Sequence, residues 1–385
     1  MQHSKKLLAA AVAGAFAVPG AALAQSSMVQ IGGGLHLIYG LHNPHNPTDV
    51  GNAGGSKHDN LHMSEPEIFV RGEEKLGGGL SAWFQCTSSF DVVGTQAQTN
   101  SAGWCGRNSG IGFKGGWGNL FAGTWDTPHK LNYNQARGWF SGTNVFGGTA
   151  TLLFSGSQSN VGNAGASFYR RQSRSLNYHS PSWGGFSVNA AVSASNEQAT
   201  IPEATGLSPR LYSISGAYRG GPLYVGLSYE RHTDFRAIAG GGDDDSWSIV
   251  GVYTIANNIR LSAVYTRSEY ENVAVANDNL EQTGYAAYID WRIAGPHSLK
   301  AQYGKAKDGK GTLGTTIGNF AVGSGTGAKV YGIDYAYDLS KRTQGYIGYA
   351  RMKNDSNTNA FDQGITDATV GGKQTFVGVG VRHRF

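Results

Sequence analysis

The chain has 385 residues, 39% of them hydrophobic, and a formal net charge of +5, which is too small to indicate nucleic-acid binding. Glycine accounts for 58 residues, about twice its usual share of ~7%, but without a Gly-X-Y period, so a collagen-like helix is excluded. The glycines are interleaved with aromatic and β-branched residues, which disfavours disorder.

The first predicted element is a secretion signal over residues 1–24. Two lysines precede an apolar run, and Ala-Leu-Ala at 22–24 has the spacing of a cleavage site. A membrane anchor is the alternative, but Pro19-Gly20 breaks the run. We expect cleavage after Ala24, which leaves residues 25–385 as one exported domain with a net charge of +3. No later stretch approaches ~18 apolar residues, so no transmembrane helix is predicted.

The rest of the chain alternates apolar with polar or small residues, which is the pattern of a β-strand with two different faces. In one such segment Phe186, Val188, Ala190 and Val192 occupy every second position. The same period recurs in many later segments, among them 223–230, 259–266 and 331–338.

Two kinds of connection alternate between these strands. About seven are short turns and about eight are long, polar and rich in glycine. Fifteen connections predict sixteen strands, with both chain ends on the side of the short turns. The long connections are expected at about 41–61, 92–103, 127–168, 196–207, 234–246, 269–281, 308–326 and 354–372.

The two faces of the strands indicate their surroundings. One face carries glycine, serine, asparagine and charged residues, which cannot form the packed core of a sandwich but can line water. The apolar face is expected to meet lipid, where the sheet must close on itself, and sixteen strands leave an aqueous channel. The predicted fold is therefore an all-β, sixteen-stranded antiparallel transmembrane barrel. Residues expected in aromatic girdles near the strand ends are Tyr229, Tyr265, Tyr285, Tyr288, Trp291, Tyr337 and Phe385.

The final segment, Thr375–Phe385, is predicted to be the last strand. Valines at 377, 379 and 381 share one face with Phe385, and two glycines and two arginines share the other. This strand must pair with the first one, expected around 29–39, because an open edge in lipid would leave backbone groups unpaired.

Three segments carry a family resemblance. They are VRGEEKLGGGLSAWFQCTSSFDVV (70–93), CGRNSGIGFKGGWGNLFAGTWDTP (105–128) and RSLNYHSPSWGGFSVNAAV (174–192). Together with the terminal Phe385, they resemble strands and turns of the trimeric general porins of Gram-negative bacteria, of the type common in beta-proteobacteria. The similarity covers essentially the whole of the chain after the signal.

The resemblance implies an outer-membrane homotrimer for passive diffusion of ions and small hydrophilic solutes. Neither enzymatic activity nor a cofactor is expected. It implies short periplasmic turns, long extracellular loops, and a third loop, here about 127–168, folded into each pore as a constriction. The expected partners are membrane lipid, lipopolysaccharide and the barrel-assembly machinery, which in this family reads a terminal aromatic residue such as Phe385. No nucleic-acid partner is expected.

Charges at the constriction are expected to set ion selectivity. Arg71 and Arg107 match wall arginines of the family, whereas Glu67 and Gly123-Thr124 stand where many members carry arginine. The third loop is basic rather than acidic, so we hypothesise a weakened or partly inverted field and a mild anion preference. The alternative for the lysine and arginine inside the loop is a surface position away from the pore. The other candidates at the constriction are Asp126, Lys130, Arg137, Arg170, Arg171 and Arg174.

Cys86 and Cys105 are expected to form a cross-strand disulfide. They are equally distant from about residue 95–96 in a hairpin loop, which places them opposite each other on the third and fourth strands. Two unrelated thiols are the alternative. No metal site is predicted: the acidic tract at 240–246 lacks the terminal glutamate of a calcium loop, and four histidines in or beside the first long loop are interpreted as incidental, namely His42, His45, His58 and His62.

Three other functions stay open. The first is a channel of the same fold that prefers particular substrates. The second is a structural or adhesive surface barrel that acts through its loops. The third is a barrel enzyme, which is disfavoured because no Gly-x-Ser-x-Gly motif and no spacing of serine, histidine and acid singles out a catalytic triad.

Overall fold

The computed structural model describes residues 28–45, 57–93, 103–137, 148–154, 167–194, 208–235, 242–272, 275, 277–314, 316–318, 320–358 and 370–385. The predicted secretion signal at 1–24 and large parts of several long connections lie outside these ranges. Neither helix of the described part is long and apolar enough to cross a bilayer.

The chain is almost entirely β-structure. Its strands are β1 (Met28–His45), β2 (His58–Met63), β3 (Glu67–Gly77), β4 (Leu80–Ser88), β5 (Ser109–Gly115), β6 (Gly118–Asp126), β7 (Arg171–His179), β8 (Phe186–Ser193), β9 (Arg210–Gly220), β10 (Leu223–Thr233), β11 (Asp243–Ile255), β12 (Ile259–Asn272), β13 (Asp278–Ala294), β14 (His297–Ala306), β15 (Lys310–Gly311), β16 (Ala328–Asp338), β17 (Thr343–Asn354) and β18 (Lys373–Arg384). Two helices, α1 (Pro128–Arg137) and α2 (Gly148–Phe154), lie between β6 and β7.

These strands form one closed antiparallel barrel with sixteen strands in its wall, as the sequence predicts. β2 and β3 together make the second wall strand, interrupted at 64–66, because both pair with β1. The short β15 pairs only with the outer end of β13 and is not a wall strand of its own. β18 closes the barrel against β1 over a register that runs from Gly34↔Arg384 to His45↔Lys373, so the paired part of β1 lies further along the chain than the expected 29–39.

The predicted short turns connect neighbouring wall strands at one rim. In the turn between β3 and β4, Gly77, Gly78 and Gly79 have φ values of 89°, 58° and 79°. Residues that carry a Cβ atom rarely adopt this left-handed backbone conformation, so the turn requires glycine. The tight rim follows directly from these sequence positions.

Three predicted long connections are shorter than expected. β1 continues to His45 and β2 starts at His58, so parts of 41–61 are strand. β11 starts at Asp243, β12 ends at Asn272 and β13 starts at Asp278, so parts of 234–246 and 269–281 are strand as well. Ion pairs across neighbouring strands explain these last two extensions, since opposite charges facing each other stabilise a sheet. Arg231 pairs with Asp243 and Asp245, and the Arg267 Nη2 lies 2.9 Å from the Glu281 Oε2. The tract at 243–245 is therefore part of a strand rather than a loop tip.

The outer face of the barrel is apolar and the inner face is polar. Val377, Val379 and Val381 are 45–50% exposed on the outside, while serines of β10 and β11 are buried inside. The expectation for Tyr288 was wrong. Its ring is 2% exposed and faces the lumen, because it shares the inner face of β13 with Ala286, while Ile289 points outwards.

The lumen is partly filled by the segment between β6 and β7. α1 packs against β9–β12 and α2 against β12–β14 and β16. Glycines on the wall permit the close approach of α2: a Cβ on Gly284 would lie 2.7 Å from the Leu153 Cδ2, and one on Gly304 would lie 2.6 Å from the Thr149 Cγ2. The third connection therefore folds into the barrel, and one side of the lumen stays open.

Cys86 and Cys105 are joined by a disulfide, with their Cα atoms 4.7 Å apart. Cys86 lies on β4, but Cys105 lies in the turn before β5, with φ of +63°, and not on the fourth wall strand. Their separation of 19 residues closes a loop for which chain entropy predicts about 3 kcal/mol of stabilisation.

We expect the unreduced protein in denaturant to show no free thiol, and the reduced protein to show two. Titration with a chromogenic thiol reagent measures both numbers. Equal thiol counts with and without reductant would contradict the bond.

Candidate functional site: a charged aperture

A cavity of about 430 Å³ lies between α1 and the facing wall, and we call it the aperture. The wall contributes residues from the interruption after β2, from β3, β4, β6 and β7, and from the segments just before β5 and β7. The helix contributes one face. The lining residues are Glu65, Glu67, Phe69, Arg71, Gln85, Thr87, Arg107, Asn108, Asp126, Lys130, Asn134, Arg137, Tyr169 and Arg171.

The spacing along α1 separates the aperture from the packed side of the lumen. Lys130, Asn134 and Arg137 line the aperture, and this spacing of four and three residues places them on one helical face. The adjoining side of the helix carries Tyr133 and Ala136, which are both fully buried. An amphipathic helix therefore divides the lumen into a filled side and an open side.

The beginning of α1 is held to the wall by buried hydroxyl groups. The His129 N–H donates to the Ser213 Oγ at 3.1 Å, and the imidazole Nδ1 and Nε2 lie 3.0 and 3.3 Å from the hydroxyls of Ser228 and Ser246. Burial lowers the pKa of His129 to about 4. The ring is thus neutral at physiological pH and serves as a hydrogen-bonding anchor.

The end of α1 is held by a cation on the wall. The Arg260 guanidinium donates to the carbonyl oxygens of Gln135 and Ala136, and the Ser262 hydroxyl donates to the Ala136 oxygen at 2.8 Å. A positive charge at a helix C-terminus offsets the helix dipole and satisfies carbonyls that have no partner within the helix. Both ends of α1 are therefore fixed, which fixes the width of the aperture.

Hydroxyl groups also connect the two helices to the wall. The Tyr133 and Thr149 hydroxyls lie 2.6 Å apart, and both are hydrogen-bonded to the Tyr288 hydroxyl. The alternation of β13 directs Tyr288 into the lumen, and this group of hydroxyls supplies the partners that a buried phenol needs.

Opposite charges face each other across the aperture. The Arg137 Nη2 lies 3.2 Å from the Glu65 Oε1, so this pair bridges the helix and the wall. The Lys130 Nζ and the Arg171 Nε lie 2.9 and 3.1 Å from the Asp126 Oδ1. The Arg107 Nε lies 3.4 Å from the Glu67 Oε2. Each carboxylate of the lining thus has at least one cationic partner.

Arg71 differs from the other cations of the aperture. Its side chain is exposed to the lumen, its Nε donates to the neutral Gln30 Oε1 at 2.8 Å, and its guanidinium lies 5.0 Å from the Phe69 ring centroid. Five cations against three carboxylates leave the lining with a net charge of +2. Burial lowers the pKa of Lys130 to about 8, although the attraction of Asp126 acts in the opposite direction. The ammonium group of Lys130 is therefore charged at neutral pH and loses its charge as the pH rises past about 8.

The structure brings seven of the nine predicted constriction residues together: Glu67, Arg71, Arg107, Asp126, Lys130, Arg137 and Arg171. Arg170 and Arg174 lie elsewhere. The Arg170 Nε donates to the Gln172 Oε1, and its guanidinium lies over the Phe235 ring. Arg174 is exposed beside a shift in the register between β6 and β7. Lys130 and Arg137 are inside the barrel, not on its surface.

Sequence reasoning missed Glu65, which pairs with Arg137. A signal was available, because Glu65 lies two residues before Glu67 and so continues the alternation of Glu67 and Arg71 across Pro66. Phe69 shares this alternation as well. Tyr169 and Asn134 carried no such signal, since their positions depend on how the third connection folds.

The four histidines in or beside the first long connection are only partly within the described residues. His42 and His58 stack with ring centroids 5.0 Å apart, and the side chain of His45 lies outside the described residues. Over the described ranges, no group of three or more histidine, cysteine, aspartate or glutamate side chains is arranged to hold a metal ion.

Comparison with known proteins gives a consistent assignment. The family described as "Gram-negative porin" matches residues 9–357. An outer membrane porin protein of Bordetella pertussis is 29% identical over 340 residues, which cover 82% of this chain and 81% of that protein.

Two solved structures share the fold. An anion-selective porin from Comamonas acidovorans has a TM-score of 0.71 and 22% identity, and the match covers 94% of this chain and all of that one. The trimer form of OmpT, an outer membrane protein of Vibrio cholerae, has a TM-score of 0.63 and 13% identity over 94% of this chain and all of that one.

Proposed function

The chain belongs to the Gram-negative porin family, and we propose that its aperture gives the channel a mild preference for small anions over cations. The protein is an outer-membrane porin, a closed barrel with a water-filled path for ions and small hydrophilic solutes. The observation that carries the proposal is the excess of five cations over three carboxylates in the lining of the aperture.

The preference is mild because most of these charges are already paired. Lys130 and Arg171 share the Asp126 carboxylate, and Arg137 and Arg107 face Glu65 and Glu67. The excess of positive charge therefore comes from Arg71 and from the two cations that share Asp126. Rings of charge select ions through the local potential, so a net charge of two favours anions without excluding cations. The anion selectivity of the Comamonas porin is consistent with this proposal, although at 22% identity that protein supports the fold alone.

The working assembly in this proposal is a homotrimer anchored among lipid and lipopolysaccharide. The apolar outer face supports burial in lipid and against other protomers, and one structural neighbour is a trimer form. The signal at 1–24 would direct export, and the barrel-assembly machinery would read the last strand. In this proposal the protein has no enzymatic role, in keeping with relatives that are named as porins.

Bilayer recording tests the proposed function. In a potassium chloride gradient the purified protein is expected to form stable open channels whose reversal potential has the sign of moderate anion preference. A strong cation preference would overturn the proposed selectivity, and a protein that inserts without conducting would support a structural or adhesive barrel instead.

A further inference from the structure

A second cavity of about 560 Å³ lies next to the aperture, on the side of the short turns. Its lining includes Trp83 on β4, Trp125 on β6, and charged residues of β3 and β5. Arg71 and Gln85 line both cavities. A solute that leaves the aperture towards the short-turn rim therefore enters this second cavity, which we call the tryptophan chamber.

Aromatic side chains form a fixed platform in the tryptophan chamber. The ring centroids of Trp83 and Trp125 are 6.0 Å apart, and both rings contact Phe121, at 5.2 and 4.9 Å. Phe121 is 2% exposed and supports the two indoles from behind. The Trp83 Nε1 donates to the Asn119 Oδ1 at 2.7 Å, which fixes the orientation of the ring. Both tryptophans remain partly accessible to the lumen.

Partly exposed indoles are notable in a water-filled path, because the lumen of such a barrel is mostly polar. Their apolar faces gain from contact with a planar ring, since aromatic pairs stack or meet edge to face. The size of the chamber also fits a small molecule, because ligand sites typically measure about 300–1,000 Å³ and combine aromatic walls with a few polar groups.

The charges of the tryptophan chamber favour an anion. Glu73 accepts from Lys75 and from the Lys114 Nζ at 2.6 Å, so the single carboxylate is engaged by two cations. With Arg71, the lining has three cations and one acid. The Arg71 guanidinium has five N–H donors, of which Nε–H is used by Gln30. A carboxylate can accept from the others in a bidentate arrangement.

We propose that the tryptophan chamber is a binding site for small aromatic carboxylates that cross the pore. The ring of the solute lies against Trp83 and Trp125, and its carboxylate is held by Arg71. Neutral sugars also stack on indoles but gain nothing from the excess of cations. The inference rests on the proposed function, because the solute reaches the chamber through the open aperture. Conduction requires that such binding be weak enough for release.

The test compares benzoate, acetate and benzyl alcohol in bilayer recordings of the intact protein carrying a chloride current. Acetate keeps the carboxylate without the ring, and benzyl alcohol keeps the ring without the charge. Benzoate is expected to reduce the current at a concentration at which neither of the others does. In Trp125→Leu, the benzoate concentration for half-maximal block is expected to rise about two- to twelvefold, which corresponds to the 0.5–1.5 kcal/mol of an aromatic contact.

Trp104→Leu is the matched control, because Trp104 is 76% exposed and outside both cavities. It should keep the benzoate block of the unchanged protein. Trp83→Leu is a second variant in case Trp125→Leu does not assemble, and the benzoate concentration for half-maximal block should rise in it as well.

An open channel that benzoate blocks no better than acetate, or equally in all variants, would overturn this inference and leave the porin function intact. Block by benzyl alcohol equal to that by benzoate would also overturn it, because the carboxylate would then contribute nothing to binding. A channel that does not conduct chloride would instead overturn the proposed function.

Discussion

Arg71→Glu is expected to lower the ratio of chloride to potassium permeability by about 5- to 30-fold at low salt. The substitution changes the charge at the exposed wall of the aperture by two units and lowers the net charge of the lining from +2 to zero. One unit charge in water contributes about 1 kcal/mol at 4 Å and about 0.25–0.5 kcal/mol at ~8–16 Å, the range for an ion in the open part of the lumen. A change of two charges acts with opposite sign on an anion and on a cation, so their energies shift relative to each other by about 1–2 kcal/mol. The reversal potential in a salt gradient measures this ratio.

Arg71 suits this experiment because its removal breaks no ion pair at the aperture. Its Nε donates to the neutral Gln30, whereas Arg137 and Arg171 hold carboxylates. Arg174→Glu is the control, since Arg174 lies outside both cavities and the same change in total charge there should leave selectivity nearly unchanged. Raising the salt concentration should shrink the effect of Arg71→Glu, because mobile ions screen the charge. Equal shifts in both variants would show that the aperture does not set selectivity.

Deleting Phe385 is expected to lower the yield of the proposed trimer far more than it changes the conductance of each assembled pore. The main-chain N–H and C=O of Phe385 exchange two hydrogen bonds with Gly33, both at 3.2 Å, and its ring packs over Gly33. Two such bonds contribute about 1–3 kcal/mol in total. The pairs from Gly34↔Arg384 onwards remain available to close the wall, so the lumen keeps its shape.

The yield is measured as the trimer that resists dissociation on a gel without boiling, and the conductance in single-channel recordings. Phe385→Tyr is the matched variant, because it keeps the aromatic ring and the backbone pairing and should assemble normally. Normal assembly of the deleted chain would contradict a role for the terminal residue as an assembly signal. A proportional loss of conductance per pore would point to a distorted barrel instead.

The wall of the barrel was predictable because period two is local. A residue's face depends only on its neighbours along the strand, so the outward set of β18 and its pairing with β1 followed from the sequence. The ends of the strands were less predictable. Asp243 and Asp245 are polar enough for a loop, and they belong to β11 because Arg231 on the neighbouring strand pairs with them. Neither partner identifies the other in sequence.

The aperture was predictable only in part, for a related reason. Arg71 and Arg107 could be placed from their positions on or before wall strands, but the pairing of Arg137 with Glu65 joins residues 72 positions apart. It depends on α1 lying against β9–β12. The inward direction of Tyr288 follows from the alternation of β13, but the partners of its hydroxyl, Thr149 and Tyr133, depend on the same packing.

The sequence by itself determined the architecture: the number of wall strands, the short turns, the apolar outside and the basic character of the third connection. Alternation, glycine in left-handed turns and the cost of unpaired backbone in lipid suffice for these features. Only the tertiary structure decided which charges face the solute and that an aromatic chamber adjoins the aperture. Those properties arise where side chains from distant strands contact the helix inside the barrel, and alternation along a single strand carries no information about such contacts.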